Sequence, residues 1–345
     1  MENFIDYFKG NVFGFVQLTD AINVVPNKYS RVGDLGLFPF KGVPTTTIAI
    51  EKRDGVLNLL PTKERRSPPT GSSTGKRSMI TFDIPHIPAN DFIWPDDVQG
   101  VRVFGTSNQA ATVEQVTMEK LDALAAKHFI TWEWHRVGAL HGIIRDADGG
   151  VIYNLFDEFG ITEKKVYFDL DNANADLDAA TLEVVRHTED NLLGETMTQV
   201  HALCGSTWFD KFVGHPKMIE KYKYYSSMQE PLRNDVRRRF QHKGVVFEEY
   251  RGQADCLNAD GTTTTRKFIA DDEARFFPIG TQDTFRQYGA PANNLQSVNT
   301  IGVPMYVRPK PDQHGEFVEL YSESNPLMLC KRPALLVCGK AGAAP

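Results

Sequence analysis

Cysteine is scarce in this sequence, and the few cysteines follow no metal-binding or redox spacing. The 345 residues include four, with no CxxC pair and no histidine at zinc-finger spacing. A structural zinc site and a redox dithiol are therefore not expected. Buried, reduced thiols are the simpler interpretation for Cys204, Cys256, Cys330 and Cys338.

The sequence also lacks a targeting or membrane segment. Glu2 and Asp6 occupy the N-terminal region where a secretory signal would be basic. No apolar run approaches the roughly 18 residues of a membrane span. Because residue 1 is Met, we expect no cleaved N-terminal propeptide. We expect a chain made in the cytosol, with no membrane partner.

An excess of basic residues is missing as well. Asp and Glu number 44 against 38 Lys and Arg, which gives a net charge of −6 at pH 7. A protein that binds nucleic acid electrostatically usually has a positively charged surface. Any DNA contact here should therefore be local. The hydrophobic fraction of 41% is ordinary for a globular chain with a sizeable core. The length suggests two domains, or one domain with large excursions.

No catalytic or cofactor motif is completed. GSSTGKR (71–77) has three residues between its glycines and Arg77 after the Lys, which does not match a phosphate-binding loop. DLDNANADLD (169–178) lacks the glycine and closing Glu of a calcium loop and reads better as a turn and helix cap. We expect no enzyme activity, no cofactor and no metal site. Core or interface positions are predicted for His128, His135 and His141, which lie two helical turns apart.

Two alternating segments predict a long hairpin. Thr45 to Glu51 alternates, Asp54-Gly55 is a tight-turn signal, and residues 56–60 are apolar. Residues 79–84 alternate again, with Ile80, Phe82 and Ile84 on one face. These strands form a two-stranded excursion with a basic tip. Because such a hairpin is marginal alone in water, its apolar face needs a partner surface.

A long helix is predicted from about Gln109 to Arg145. This segment contains no proline, and its apolar residues recur at spacings of three and four. At 1.5 Å rise per residue it would be on the order of 55 Å long. We expect such a helix to act as a spine.

The following region alternates helices and strands and predicts a mixed domain. Asn174 or Asp176 should cap a helix from about Leu177 to Leu193. Residues 251–299 are interpreted as loops with short strands, and residues 318–337 as closing strands. The other predicted elements are a strand at Thr198 to Leu203, helices at about Thr207 to Phe212 and Pro216 to Tyr225, and a strand at Val245 to Tyr250.

The segment from Lys217 to Arg239 interleaves basic and tyrosine residues. Such a composition can stack and neutralise nucleic acid, but it is also typical of protein interfaces. Glu220, Glu230 and Asp235 interrupt it, which favours the interface. The candidate residues, for an interface between protein subunits or a weak DNA contact, are Lys221, Tyr222, Tyr224, Tyr225, Arg237, Arg238 and Arg239.

Seven stretches in order resemble the lambda gpE-like major capsid proteins of tailed bacteriophages, the phage capsid protein E family. Each stretch is weak alone, and their order along nearly the whole chain is specific. They are LTDAINVVPNKYSRVGDLGLF (18–38), TTTIAIEKRDGVLNLLPT (45–62), FDIPHI (82–87), HRVGALHGIIRDADGGVIYNLFDEFG (135–160), VHALCG (200–205), EARFFPIG (273–280) and ESNPLMLCKRPALLV (323–337).

The resemblance implies an α+β chain with the HK97-like capsid fold. The implied parts are an N-terminal arm (1–44), an E-loop hairpin (45–86), a peripheral domain with the spine helix (87–170, helix about 109–145), a mixed α/β axial domain (171–304) and a return to the peripheral domain (305–345). The E-loop tip becomes a candidate contact between subunits, through Lys63, Arg65, Arg66, Lys76 and Arg77.

The implied function is structural. Subunits of this family form the hexamers and pentamers of an icosahedral head, which encloses double-stranded DNA without sequence-specific binding. Portal and scaffolding proteins are expected partners, and a decoration protein is an optional one. The location would be the virion, and the host cytoplasm during assembly. We predict no covalent cross-link between subunits. The alternative is a DNA- or cell-binding accessory module of a phage particle, based on the tyrosine-rich segment.

Overall fold

The computed structural model describes residues 30–53, 77–98, 113–226, 239–257 and 261–345, together with residues 19 and 22. The chain forms two compact units, each assembled from three separated segments. The first unit comprises Met1–Ile48, Phe82–Arg136 and Arg286–Leu329, and the second comprises Ala49–Thr81, Val137–Phe285 and Cys330–Pro345. The predicted division at residues 44, 86, 170 and 304 into contiguous segments stays a prediction.

Helices and strands are distributed along the whole described chain. The helices are α1 (Arg31–Asp34), α2 (Pro95–Val98), α3 (Val113–His141), α4 (Leu155–Phe159), α5 (Leu177–Asp190), α6 (Ser206–Val213) and α7 (Pro216–Ser226). The strands are β1 (Phe40–Gly42), β2 (Thr47–Arg53), β3 (Arg77–Asp83), β4 (Ile87–Ile93), β5 (Ile143–Arg145), β6 (Val151–Asn154), β7 (Lys164–Tyr167), β8 (Gln199–Cys204), β9 (Phe240–His242), β10 (Val245–Glu249), β11 (Gln253–Leu257), β12 (Thr263–Lys267), β13 (Glu273–Ile279), β14 (Phe285–Gly289), β15 (Tyr306–Pro311), β16 (Val318–Ser324), β17 (Pro326–Cys330) and β18 (Val337–Lys340).

The predicted hairpin is present as the pair β2 and β3. Phe82 is fully buried and Met79 is 71% exposed, so the two faces differ as the alternation predicted. The Ile84 backbone N–H donates to the Thr46 carbonyl at 2.9 Å and closes the root of the hairpin. The predicted turn at residues 54–55 and the apolar run 56–60 lie outside the described residues.

The long helix α3 is present, but its predicted end at Arg145 is wrong. The helix ends at His141 because Gly142 takes a φ of +73°, which breaks the helical conformation. Ile143–Arg145 then forms β5, so the apolar residues that seemed to continue the helical stripe belong to a strand. The predicted start at residues 109–112 lies outside the described residues.

The first unit is centred on an antiparallel sheet of β15, β16 and β4. The central strand β16 buries Val318, Leu320 and Ser322 on alternate positions, as expected for a strand with one face on a core. A second sheet of the order β1, β14, β17 places β1 parallel to β14. Side chains of α3 reach β16 directly, through hydrogen bonds described below.

The second unit contains a mixed six-stranded sheet of the order β7, β18, β13, β8, β10, β9. Its two parallel pairings are β8 with β10 and β7 with β18. Trp208 and Phe212 of α6 project from one helix face and stack on Phe247 of β10, with ring centroids 5.8 and 4.4 Å away. Replacing one fully buried aromatic side chain of this kind by Ala costs about 3–5 kcal/mol.

Several predicted elements of this region are confirmed within a few residues. Asp176 caps α5, since its Oδ1 accepts the Ala179 N–H at 3.1 Å. The helix stops at Asp190 rather than Leu193, which takes a φ of +49°. The strand predicted at 198–203 is β8, shifted by one residue.

Candidate interaction surfaces

The predicted E-loop tip falls largely outside the described part of the chain. Lys63, Arg65, Arg66 and Lys76 lie outside it, and Arg77 is the first residue of β3. The role of these five residues between subunits stays a prediction.

Lys221, from the second predicted set, is held by an intramolecular ion pair. Its Nζ donates to Oδ1 of Asp178 at 2.5 Å, and Nε2 of His242 lies 2.7 Å from the same oxygen. Burial acts to raise the pKa of Asp178, but the hydrogen bonds from Lys221 and His242 outweigh it and lower that pKa. Lys221 is therefore engaged with a carboxylate rather than presented to a phosphate.

The remaining residues of that set are only partly placed. Arg239 is exposed immediately before β9. The backbones of Tyr222, Tyr224 and Tyr225 lie in α7, whereas Arg237 and Arg238 lie outside the described residues.

A buried carboxylate on the long helix anchors α1. Glu133 is 1% exposed, and its Oε1 accepts the Val32 N–H at 2.7 Å. Its Oε2 accepts the Ser30 hydroxyl at 2.7 Å, and Ser30 caps α1 by accepting the Gly33 N–H. Unpaired N–H groups at the start of a helix favour a negative charge, so the carboxylate suits this position.

An arginine completes this anchor on the same helix. Arg136 Nη1 donates to Ser30 Oγ at 2.6 Å, and Nη2 donates to Gln287 Oε1 at 3.1 Å. The guanidinium lies 3.8 Å from Glu133, so the buried charge has an opposite partner. We name these four residues, Ser30, Glu133, Arg136 and Gln287, the arm anchor. One signal of this anchor is visible in the sequence, an acidic residue among the apolar positions of α3.

A row of polar groups joins α3 to β16. The ring of His128 contacts Ser322 Oγ at 3.0 Å through Nε2 and Ser324 Oγ at 2.9 Å through Nδ1. Trp132 Nε1 also donates to Ser324 Oγ, at 3.2 Å. Burial lowers the pKa of His128 to about 4, and the nearby charge of Lys127 adds to this effect. The imidazole is therefore neutral at pH 7, with one ring nitrogen donating and the other accepting. His128 and His135 are both buried, which confirms their predicted core character.

Glu323 is a fully buried carboxylate on β16, between Ser322 and Ser324. Arg308 Nη2 lies 3.6 Å from its Oε1, and His86 Nδ1 lies 3.7 Å from its Oε2. His86 directly follows the hairpin and is 2.7 Å from Asn325 Oδ1. The guanidinium of Arg308 is the opposite charge nearest to this carboxylate, where the hairpin returns to the sheet.

An open groove of about 760 Å³ lies beside the hairpin root. Thr45, Thr46 and Thr47 form one wall, and Ile84 and His86 contribute from the other strand. The opposite wall is the segment between β14 and β15, including Leu295 and Val298. The groove is thus a property of the first unit alone.

The described residues provide no obvious metal or membrane site. No group of three or more His, Cys, Asp or Glu side chains within them could hold a metal ion. None of the helices in this part of the chain is long and apolar enough to cross a bilayer.

Comparisons of sequence with known proteins point to one family. The model of the phage major capsid protein E family matches residues 14–341. The chain is 31% identical over 346 aligned positions to the major capsid protein of Pseudomonas phage KPP10, covering 96% of this chain and 97% of that protein. The identity to the major capsid protein of Salmonella phage Felix O1 is 29% over 356 positions, with the same coverage.

Solved structures with little sequence identity share the fold. A prophage capsid protein of E. coli CFT073 matches with a TM-score of 0.59 at 14% identity, covering 95% of this chain and 99% of that one. The capsid of cyanophage P-SCSP1u matches with a TM-score of 0.55 at 10% identity, covering 92% and 90%. The mature capsid of bacteriophage PhiM1 matches with a TM-score of 0.52 at 12% identity, covering 90% and 87%. The predicted α+β, HK97-like capsid fold is confirmed.

Proposed function

We infer the function from one premise: this chain belongs to the phage major capsid protein E family, and it is a structural subunit of a bacteriophage capsid. The observation that carries this conclusion is the match of the family model over residues 14–341. The family resemblance predicted from seven stretches of sequence is confirmed.

We propose that copies of the chain form hexamers and pentamers of an icosahedral head. The hairpin β2–β3 supports this proposal, because a two-stranded excursion gains stability when its apolar face meets another surface. We propose that the tip residues 63–77 provide part of that contact with a neighbouring subunit. The segment 221–239 is proposed to face other copies around the capsomer rather than DNA, since Lys221 already pairs with Asp178.

We propose that the head encloses double-stranded DNA without sequence-specific binding. The net charge of −6 supports a head that encloses DNA without binding it tightly. A strongly basic lining would bind the phosphates and oppose packaging and release. Portal and scaffolding proteins, and in some heads a decoration protein, are the proposed partners beyond the chain itself. The proposed locations are the virion and, during assembly, the host cytoplasm.

We propose no catalytic activity for this subunit. Two buried ionisable side chains that a catalytic site could recruit are engaged internally instead. Glu133 holds α1, and His128 bridges two serines of β16.

Electron microscopy and size-exclusion chromatography of the expressed chain test the structural role. We expect capsomers or megadalton particles with icosahedral outlines. An accessory DNA- or cell-binding module would instead elute as a small species, and that result would favour the alternative function. For the DNA proposal, affinity of empty heads for DNA should depend weakly on salt, whereas a steep salt slope at the inner surface would contradict it.

A further inference from the structure

Three aliphatic side chains of the segment between β14 and β15 are exposed close together. Leu295 is 94% exposed, Val298 is 58% exposed and Ile301 is 70% exposed. Single exposed apolar residues are common on protein surfaces and need no explanation. These three lie within seven residues of sequence, and clustered exposed apolar residues mark contact sites more often than isolated ones do. We name residues 293–302 the aliphatic loop.

Hydrogen bonds at both ends fix the aliphatic loop on the first unit. At its start, Asn325 Nδ2 donates to the Pro291 carbonyl at 2.8 Å. At its end, the Gly302 N–H donates to the Val43 carbonyl at 3.1 Å. A side chain on Gly302 would overlap the Gly289 carbonyl, which lies 2.1 Å from an added Cβ, so the two backbone segments cross in close contact.

The interior of the loop is also held by its own side chains. Asn294 Oδ1 accepts the Ser297 N–H at 2.7 Å and caps the 3-10 turn Leu295–Ser297. Thr300 Oγ1 donates to the Ser297 carbonyl at 2.8 Å. Asn299 takes a φ of +60°, a conformation that Asn tolerates better than most residues. The loop therefore presents its aliphatic side chains in a defined geometry, which lowers the conformational entropy lost when a partner binds.

The loop lies in a stretch without charge. Residues 287–307 contain no Asp, Glu, Lys, Arg or His, although 24% of the chain is Asp, Glu, Lys or Arg and a stretch of this length would hold about five such residues. Two copies of a chain with a net charge of −6 repel each other on average. A contact between copies is favoured where neither surface carries like charge, and the aliphatic loop meets that condition.

The adjoining groove is suited to receive the same side chains. It measures about 760 Å³. Leu295 and Val298 of the aliphatic loop form part of one wall, and Thr45, Thr46 and Thr47 of the hairpin root form the facing wall. Among the described residues that line it, His86 is the only one with an ionisable side chain. Because the aliphatic loop and the groove lie on one unit, a rotation axis between two copies can place each loop in the groove of the other, against the hairpin root.

We propose that the aliphatic loop of one subunit packs into the groove beside the hairpin root of a second copy of this chain. The inference rests on the proposed function and deepens it by naming one contact of the assembly. A fully exposed aliphatic side chain of this size offers roughly 100 Å² of apolar surface. Multiplied by the exposed fractions of the three side chains, this gives on the order of 200 Å² in total. A stable pairwise interface buries about 800 Å² per partner. The contact should therefore form in a shell with several contacts per subunit, and not hold an isolated dimer.

A matched pair of substitutions tests the contact. Val298→Asp places a charge on the loop, and Val151→Asp places the same charge on β6, at a Val that is 54% exposed. We expect Val298→Asp to raise the lowest concentration at which particles form by about tenfold or more, because the charge must be desolvated when the loop enters the groove. Val151→Asp should assemble at the wild-type concentration. Both variants should unfold as the wild type does before assembly.

Interchain disulfide formation tests the same contact with milder changes. Leu295→Cys and Thr46→Cys replace exposed residues on the loop and on the groove wall, in separate chains that are then assembled together and oxidised. We expect more dimer on a non-reducing gel from the mixture than from either variant assembled alone. A mixture that gives no more dimer than Leu295→Cys alone would overturn the groove assignment.

Other outcomes separate this contact from the proposed function. Particles of Val298→Asp at the wild-type concentration, or no dimer from the mixture, would overturn the loop contact and leave the capsid function intact. A wild-type chain that forms no particles would overturn the proposed function and this inference with it.

Discussion

The neutral, buried His128 should make the first unit sensitive to acid. In the folded chain burial lowers the pKa of His128 to about 4, whereas an exposed histidine has an ordinary pKa of 6.5. Between these two values the unfolded chain binds a proton at this ring and the folded chain does not. The free energy of unfolding therefore falls as the pH is lowered from 6.5 to about 4. Above pH 6.5 this contribution is complete, and below about pH 4 no further loss arises from this group.

The size of the effect follows from the difference between the two pKa values. One pKa unit corresponds to about 1.36 kcal/mol, so a lowering to about 4 gives a loss of about 3 kcal/mol across this window. The group is 1% exposed, so solvent screening reduces the figure little. Other histidines contribute in the same direction, since burial also lowers the pKa values of His141, His187 and His242. The His128 share must be isolated by substitution.

Urea unfolding of the unassembled chain at several pH values between 7 and 4 measures this share. His128→Asn removes the titrating group and should cost about 1–3 kcal/mol at every pH, because it alters the bonds to Ser322 and Ser324. Its stability should then decline less steeply than that of the wild type, by about 3 kcal/mol over the window. Tryptophan fluorescence is a suitable probe, since Trp132 donates to Ser324 in the same row. Parallel declines of the two proteins would refute the reasoning.

Four further predictions follow from other residues. Glu133→Ala should lower the free energy of unfolding by about 3–5 kcal/mol and increase proteolysis near residues 30–34, because Arg136 loses its buried partner; an unchanged denaturation curve would contradict the arm anchor. Gly302→Ala should lower the free energy of unfolding by more than about 2 kcal/mol, because the added Cβ overlaps the Gly289 carbonyl. The control Gly342→Ala has open space around its Cβ and should change that free energy by less than about 0.5 kcal/mol, so equal effects would refute the close approach. Lys221→Ala should change stability by less than about 1 kcal/mol and leave DNA affinity in a filter-binding assay unaltered, since its pair with Asp178 is half exposed; a clear loss of DNA binding would restore the nucleic-acid interpretation. Boiled particles should run on an SDS gel as monomers near 38.8 kDa, and ladders would contradict the predicted absence of cross-links.

Elements that depend on contiguous residues were predictable from the sequence. The cap at Asp176 and the two faces of the hairpin strand follow from short-range patterns, and both are confirmed. The wrong end of α3 shows where such patterns fail. Ile143 and Ile144 extend the apolar stripe, but one glycine at position 142 ends the helix and turns them into a strand.

The interaction surfaces were predictable only in part. The residue types of the basic tip and of Lys221 predicted interaction sites. Composition could not show that Lys221 forms an ion pair with Asp178. The aliphatic loop was missed, since Leu295, Val298 and Ile301 resemble ordinary core residues in a sequence. Their exposure became known from the structure.

The sequence by itself determined the family, the spine helix and the hairpin, because ordered motifs and local periodicity do not require knowledge of distant neighbours. Tertiary structure alone decided the arm anchor, the buried Glu323 and the groove. Ser30 and Glu133 are 103 positions apart, and His86 and Asn325 are 239 positions apart. Hydrogen bonding and burial depend on distance in space, so partners this remote along the chain are identified only once the chain is folded.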